Sequence, residues 1–580
     1  MAPISIGSVH SSSADSCSEF SSDYFSPDED DVDSDSASTS DVPTLADDVY
    51  SFFSNFNVPV AGMKFLLTAL NKHGISGVPK SLYRLRQVTN SRESKLTVQQ
   101  LDSGLYSYIG IKDNLATHFS RVKIVEEYCK ESTVNIVNMR VNVDGLPLYR
   151  SSTVSIWPIL VAFGSDRQCY PVALHFGRGK PTLDSFLDPF IQEVLMLRSD
   201  GLCIGNVQVK LGEVTFVCDA PARAHLQCIL GHTAKKGCSH CDAEGRYISD
   251  RVVFPAVAGN PRTDEKYNRF EENNQVRLSP LTQIVGLKTN FPVDELHCIC
   301  LGVVRKMFHF LFSKVKKSTC RLKDNDVQLL SEDILNFRKY TPAEFQRQVR
   351  SIKTDLMHFK GTEFRSFLLY FGPFLFKKYL SEKVYHLFIL LHFSYYVFSS
   401  ENYVNLHGHA HRCLEIFVKR FSDVFGEQSL SYNVHMLLHL HECVRRYGPL
   451  KSFSTFTFEN YLGKLKRRVK VTRYAFSHIL NQVRNVPCSL QSSQLRFTTQ
   501  PPNNFALFDG HVVKIDSVLN DGTVIGKTLT FRKDVYSYPY NSKQLRIGYY
   551  ALSRKTVKGK PLNKAIAFPS DDEFVIFPLV

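Results

Sequence analysis

Residues 216–241 read FVCDAPARAHLQCILGHTAKKGCSHC. The stretch leaves an apolar strand on Asp219 and reaches the C-x-x-C pair Cys238 and Cys241 nineteen residues later. EVTFVCD (213–219) has the β-branched and aromatic content of a buried strand. Upstream, TVNIVNMRVNVDG (133–145) is a second strand, ending at Asp144 and Gly145. TVSIWPILVAF (153–163) and CYPVALHF (169–176) follow as two more, joined by short turns. Next comes a helix, TLDSFLDPFIQEVLMLRSDG, with Thr182 as N-cap, acidic residues in its first turn and Gly201 just past its end. The order is therefore three strands, a helix and a fourth strand, with an aspartate ending the first strand and the fourth.

Two aspartates at the ends of strands in one sheet can point into one mouth, and a third carboxylate would complete a site for two Mg2+ (or Mn2+) ions. Such hard ions favour oxygen ligands and clamp the attacking and leaving oxygens of phosphoryl transfer. Aspartates also end strands because they suit turns, so Asp144 and Asp219 taken singly carry little.

Composition points to a polyanionic partner. Residues 1–48 hold twelve Asp or Glu, no Lys or Arg and runs of serine, the composition of a disordered acidic tail. Beyond it, 70 Lys and Arg face 44 Asp and Glu, a net charge of +26, which suits nucleic acid. The start of the chain lacks the basic and apolar regions of a secretory signal. The most apolar run, YHLFILLHFSYYVF (385–398), is too short to span a membrane and carries two histidines. The fourteen cysteines are expected as thiols or metal ligands rather than disulfides.

The remaining organisation follows from periodicity. Residues 49–130 read as a helical N-terminal domain, 131–244 as the first part of an α/β core, and 245–430 as a largely helical insertion. A segment of histidines and a basic helix follows at 431–495. Gln500, Pro501 and Pro502 mark a linker before a small β-rich domain at 505–580, in which Asn520, Asp521 and Gly522 turn between two alternating strands.

Four blocks in order, VNVDGLPLYRSSTVSIWPI, VCDAPARAHLQCILGHTAKKGCSHCDAEG, DELHCICLGVVRKM and NVHMLLHLHECVRRYGPLKSFSTFTFENYLGKLKRRV, resemble transposases of the CACTA (En/Spm) DNA-transposon superfamily. The closer likeness is to the animal "transposase domain-containing" type, over roughly residues 60–490. The resemblance implies an RNase H-like fold and a DDE triad at Asp144, Asp219 and Glu459, with metal-dependent cleavage and strand transfer at transposon ends. It also implies DNA as partner, a homodimer or higher assembly to pair two ends, and work in the nucleus. A domesticated DNA- or chromatin-binding protein that has lost the reaction is the alternative, and an RNase H-type nuclease fits the fold too. No compact DNA-reading module stands out, so end recognition could fall to the helical 49–130 region, the insertion, the 505–580 domain or a separate accessory protein.

Glu459 also makes physical sense, because Lys464, Lys466, Arg467 and Arg468 follow on the same predicted helix and would meet phosphate. Arg223, just after Asp219, is a further phosphate candidate. Asp294 and His297, one helical turn apart in the third block, are candidates for neighbours of the active site; a capping aspartate beside a core histidine reads equally well.

Cys238 and Cys241 are half a structural zinc site. Cys298 and Cys300 have a spacing that fits less well. His435 and His439, four apart on one helical face, complement the pair best, and together the two halves flank the long insertion. His232, His441 and the His407/His411 pair remain alternatives.

Overall fold

The computed structural model describes residues 44–55, 58–85, 97–122, 135–147, 154–205, 207–314, 318–342, 344–345, 347–468, 476, 479–480 and 495–580. The acidic stretch up to residue 43 and most of 469–494 lie outside them. Two helices, Leu45–Asn55 and Val60–Lys72, come first. The first begins inside the stretch read as tail, so that boundary moves back to residue 44. The described residues of Val60–Thr89, with those from residue 44 to Tyr50, fall in a compact unit of their own. There the Asn71 amide donates to the Leu67 and Pro79 carbonyls.

Among the described residues of the main body, an eight-stranded sheet is the frame. Its strands are β1 (Gln99–Leu101), β2 (Gly104–Tyr108), β3 (Asn135–Val143), β4 (Leu146–Pro147), β5 (Val154–Phe163), β6 (Tyr170–Arg178), β7 (Leu202–Ile204) and β8 (Val207–Phe216). The path runs β1-β2-β6-β5-β3-β8-β7, with β4 paired to β5. β3, β5 and β6 form an antiparallel meander, whereas β8 returns parallel beside β3. The helix Leu183–Ser199 makes that crossover.

The β1–β2 hairpin corrects the helical reading of 49–130. Leu105 pairs with Phe176, and Tyr106 with His175, at the edge of the main sheet. Gly104 makes this possible: a Cβ there would lie 2.2 Å from the Phe176 carbonyl oxygen. The alternating tyrosines and the Asp-Ser-Gly turn are strand signals that the helical clusters on either side mask.

Both faces of the sheet are covered, as the near-continuous apolar run of β5 requires. On one face Val141, Val143 and Val161 pack with Phe186, Phe190 and Val194 of the crossover helix. On the other, Leu160 and Ala162 pack with Phe458, Tyr461 and Leu462 of the helix Phe456–Arg468. Burying each large side chain contributes roughly 1.5–3 kcal/mol.

The insertion opens not on a helix but on a hairpin, β9 (Arg246–Ile248) and β10 (Arg251–Val253), followed to Asp294 by loops broken only by the short helices Asp264–Asn268 and Pro280–Gln283. A wide, π-type turn of helix, Glu295–Val304, then runs into Arg305–Phe312. The apolar run at 385–398 lies in the helix Glu382–Phe398, which is buried on all sides. Among the described residues no helix is long and apolar enough to cross a membrane.

The C-terminal β-rich domain is a closed barrel ordered β11-β12-β13-β14-β16-β15. Its strands are β11 (Phe505–Phe508), β12 (His511–Val518), β13 (Val524–Lys533), β14 (Gly548–Gly559), β15 (Asn563–Ser570) and β16 (Glu573–Pro578). The 520–522 turn falls between β12 and β13 as read, with Gly522 at φ 81°. The linker does not separate the barrel from the rest. Ile566, Phe568, Val575 and Phe577 belong to the same apolar core as the helical insertion. Polar ties reinforce it: Tyr396 Oη donates to the Pro578 carbonyl (2.7 Å), and Tyr536 Oη lies 3.0 Å from His392 Nε2.

Candidate active site and metal centre

Three carboxylates converge where β3, β8 and the helix Phe456–Arg468 end or begin. Asp144 follows β3 directly, and Asp219 caps the helix Ala220–Gln227, its Oδ1 accepting from the Ala222 amide (2.8 Å). That leaves Oδ2 of Asp219 without a cap role. The two strand ends are clamped side by side. Val217 N donates to the Val141 carbonyl (2.8 Å), and the Asn142 amide donates to the Val217 carbonyl (2.8 Å). Asn142 thus ties a point two residues before Asp144 to one two residues before Asp219. Glu459 sits in the first turn of its helix, more than a third exposed, where the helix dipole favours a carboxylate.

The charges feel one another. Burial first, then the Asp219 and Glu459 charges, push the Asp144 carboxyl up to about 7, with His297 and the Gly145 amide opposing. Glu459 is also raised, by burial and by Asp294 and Asp219. Like charges held this close raise one another's proton affinity, and their oxygens are of the kind that could hold a hard cation.

Asp294 and His297 belong to this centre. Asp294 caps the π-type segment, accepting from the His297 amide (2.9 Å) and holding His297 Nδ1 at 2.8 Å. Both readings of this pair, cap and neighbour of the carboxylates, thus describe one arrangement. Thr455, four residues before Glu459, donates its amide (2.9 Å) and hydroxyl (2.7 Å) to the same carboxylate. His297 Nε2 in turn lies 3.6 Å from Glu459 Oε1. Burial would lower His297, but its bond to Asp294 and the charges of Asp294, Glu459 and Asp219 raise it to about 9. Asn142 and Thr455 carry no spacing signal, and only the fold discloses them.

The basic candidates divide. Lys466 and Arg467 are exposed on the Glu459 helix and Lys464 is half-buried, while the Arg468 side chain lies outside the described residues. Arg223 is a correction: it is 4 % exposed and donates to the Pro292 carbonyl, so it faces the core and cannot meet a phosphate.

A second cluster gathers Cys238, Cys241, His435 and His439, all buried, with their donor atoms within 4.8 Å of one another. Cys238 Sγ lies 3.6 Å from Cys241 Sγ and 3.5 Å from His439 Nε2. Cys241 Sγ lies 3.3 Å from His435 Nε2, and the two Nε2 atoms are 3.4 Å apart. Metal bonds of 2.0–2.3 Å give a tetrahedron with edges of about 3.3–3.8 Å, so the four donors fit a zinc ion. His435 Nδ1 is 3.0 Å from the Pro255 carbonyl, which fixes its tautomer with Nε2 free to ligate. Burial holds the His439 imidazole low, and the neighbouring Cys238, then the two histidines, hold the Cys241 thiol low.

The alternatives sit elsewhere. His232 packs on Tyr432, His441 stacks on His411, Cys298 points to the Asn433 carbonyl and Cys300 to Tyr395.

Residues 477–579 match the family model "Domain of unknown function (DUF8592)". No curated protein matches the chain. The DUF8592 segment takes in the whole barrel and none of the residues of either cluster.

Proposed function

We propose that the protein is a DDE-type DNA transposase of the CACTA kind, cleaving and joining DNA strands with Asp144, Asp219 and Glu459 holding divalent cations. The observation that carries this reading is the convergence of those carboxylates from positions 144, 219 and 459 into one mutually repelling group. Further support is the order β6-β5-β3-β8, an antiparallel meander with a parallel fourth strand, which is the arrangement of an RNase H-like core. Two Mg2+ or Mn2+ ions at these oxygens would polarise the scissile phosphate and stabilise the entering and leaving oxygens.

The chain's own residues do the positioning. Asn142 fixes the two strand ends, and Asp294 with Thr455 holds the start of the Glu459 helix against the π-type segment. His297, cationic at neutral pH by its neighbours, balances part of the carboxylate charge. Cys238, Cys241, His435 and His439 would hold a structural Zn2+ that closes the neck of the insertion. That closure offsets the configurational entropy of the long excursion between Asp219 and Glu459. Such a protein acts in the nucleus, on paired DNA ends.

The test is strand cleavage on DNA carrying paired terminal repeats with Mg2+ or Mn2+. Asp219→Ala and Glu459→Ala are expected to lose about 10²–10³-fold or more in rate while staying folded, Asp219→Ala melting lower by the roughly 0.5–2 kcal/mol of its lost helix cap. Equal product from all three proteins overturns the assignment. DNA binding without cleavage by any of them moves the protein to the domesticated class.

A further inference from the structure

The barrel matches a domain of unknown function, and its longest hairpin has an unusual charge pattern. Residues 524–560 contain nine Lys or Arg and one acidic residue, Asp534. That aspartate is occupied locally, accepting from the Lys543 amide (2.6 Å) and the Ser542 hydroxyl (3.2 Å). Of the cations, Lys533 pairs with Glu573 (3.6 Å) and Lys543 lies over the Phe531 ring.

The rest are set out by the ladder. Along β14, Thr556 and Lys558 are exposed two residues apart and share one face, and Arg554 is exposed just before them, within an irregular stretch of the ladder. Lys560 continues that alternation beyond the strand and is exposed too. Thr556 stands opposite Lys527 of β13, which is also exposed, so Lys527 joins the row across the ladder. The register shifts between Lys527 and Leu529, and Lys555, exposed beside Arg554, falls within that irregularity. At about 3.3 Å per strand residue, Arg554, Lys558 and Lys560 span about 20 Å.

Other parts of the barrel are committed to the helical body. Tyr403 donates to the Leu545 carbonyl (3.1 Å), Lys377 to the Val535 carbonyl (2.9 Å) and Tyr396 to Pro578, over the shared apolar core. The cationic face is thus an exposed part of a firmly seated module. Asp521 lies near Lys560 at one end of this row, and the remaining excess of cations costs self-repulsion that an arriving polyanion relieves.

We propose that the face formed by Lys527, Arg554, Lys558 and Lys560 is a docking surface for the phosphate backbone of duplex DNA. The choice of DNA as the polyanion rests on the function proposed above, whereas the surface itself does not depend on the carboxylates. Its role is to position DNA without reading sequence, because every group on it is suited to phosphate.

The experiment measures binding of a short fluorescein-labelled duplex of arbitrary sequence to the full chain in EDTA, as a function of salt. The variant Lys527→Gln/Arg554→Gln/Lys558→Gln/Lys560→Gln is compared with wild type and with a control, Lys72→Gln/Lys80→Gln/Lys339→Gln. Each lost phosphate contact lowers the slope of log affinity against log salt by about 0.9, so the hairpin variant should fall by about 3–4 and bind roughly 10²-fold more weakly near 0.15 M salt. The control should keep the wild-type slope, and unchanged melting of both variants shows that the fold is intact. A hairpin variant with wild-type affinity overturns the proposal, as does an equal loss in the control. A weaker loss for DNA than for a heparin competitor assigns the face to another polyanion and also overturns it. Cleavage lost in Asp219→Ala, with the hairpin variant binding normally, would defeat this inference alone.

Discussion

At the scale of single residues, the carboxylate centre makes stability depend on pH in a defined sense. Asp144 is raised to about 7 and His297 to about 9. A raised carboxyl stabilises the fold below its unfolded value near 4 and loses that contribution as pH climbs through 7. A raised imidazole stabilises below about 6.5 and loses it through 9. The two run the same way, so in EDTA this centre should make the protein more stable at pH 5.5 than at pH 8.5, by an amount on the order of a few kcal/mol. Thermal melts of wild type and Asp144→Asn check it: the substitution should flatten the profile, and Mg2+ should restore the alkaline side. A profile unchanged by Asp144→Asn would show that the carboxyl is not strained by its neighbours. Asp144 and Asp219 were legible in the sequence because strands ended on them. Glu459 was legible only through resemblance, since a glutamate in a basic helix is otherwise unremarked. Arg223 misled because its place beside Asp219 says nothing of direction: the helix turns it inward, towards Pro292.

At the scale of elements, the Cys-x-x-Cys turn and the His435–His439 segment form a joint across the base of the insertion. Spacing leaves His407/His411 beside His435/His439 among the chain's twenty histidines, because either pair could face one ion, and position at the edge of the insertion favours the latter. Cys238→Ser should cost more than about 4 kcal/mol and loosen the Glu459 helix, as loss of a structural metal does. Metal analysis should fall from one zinc per chain to none, and Co2+ should no longer give the absorption of a tetrahedral thiolate site. Full metal content in the variant would remove the assignment. The β1–β2 hairpin was not legible. Its three- and five-residue strands are too short to outvote the helical runs on either side, and they gain strand geometry only by pairing with β6.

At the scale of the whole molecule, the barrel and the helical insertion share one core, which no composition shift announces. The prolines read as a linker, yet Phe497, before them, already packs on the barrel's Ala506, Ile515 and Val524. Tyr536 sits in the shared core and meets His392, whose ring is 0 % exposed. Tyr536→Phe should therefore strand the His392 Nε2 and cost about 1–3 kcal/mol, read by chemical denaturation as a single shifted transition. Two separate transitions would mean that barrel and helices fold apart.

The joint also sets a schedule for synthesis. Cys241 and His435 are 194 residues apart in the chain, and Cys238 and His439 are 201 apart. At about 5–20 residues per second, the nascent thiols wait on the order of 10–40 s before their imidazoles leave the ribosome. Glu459 follows them by only twenty residues. The carboxylate mouth therefore cannot assemble on a half-made chain: any truncated product that stops within the insertion carries Cys238 and Cys241 without their histidines and two of the three acids, and on the function proposed above would be unable to cut.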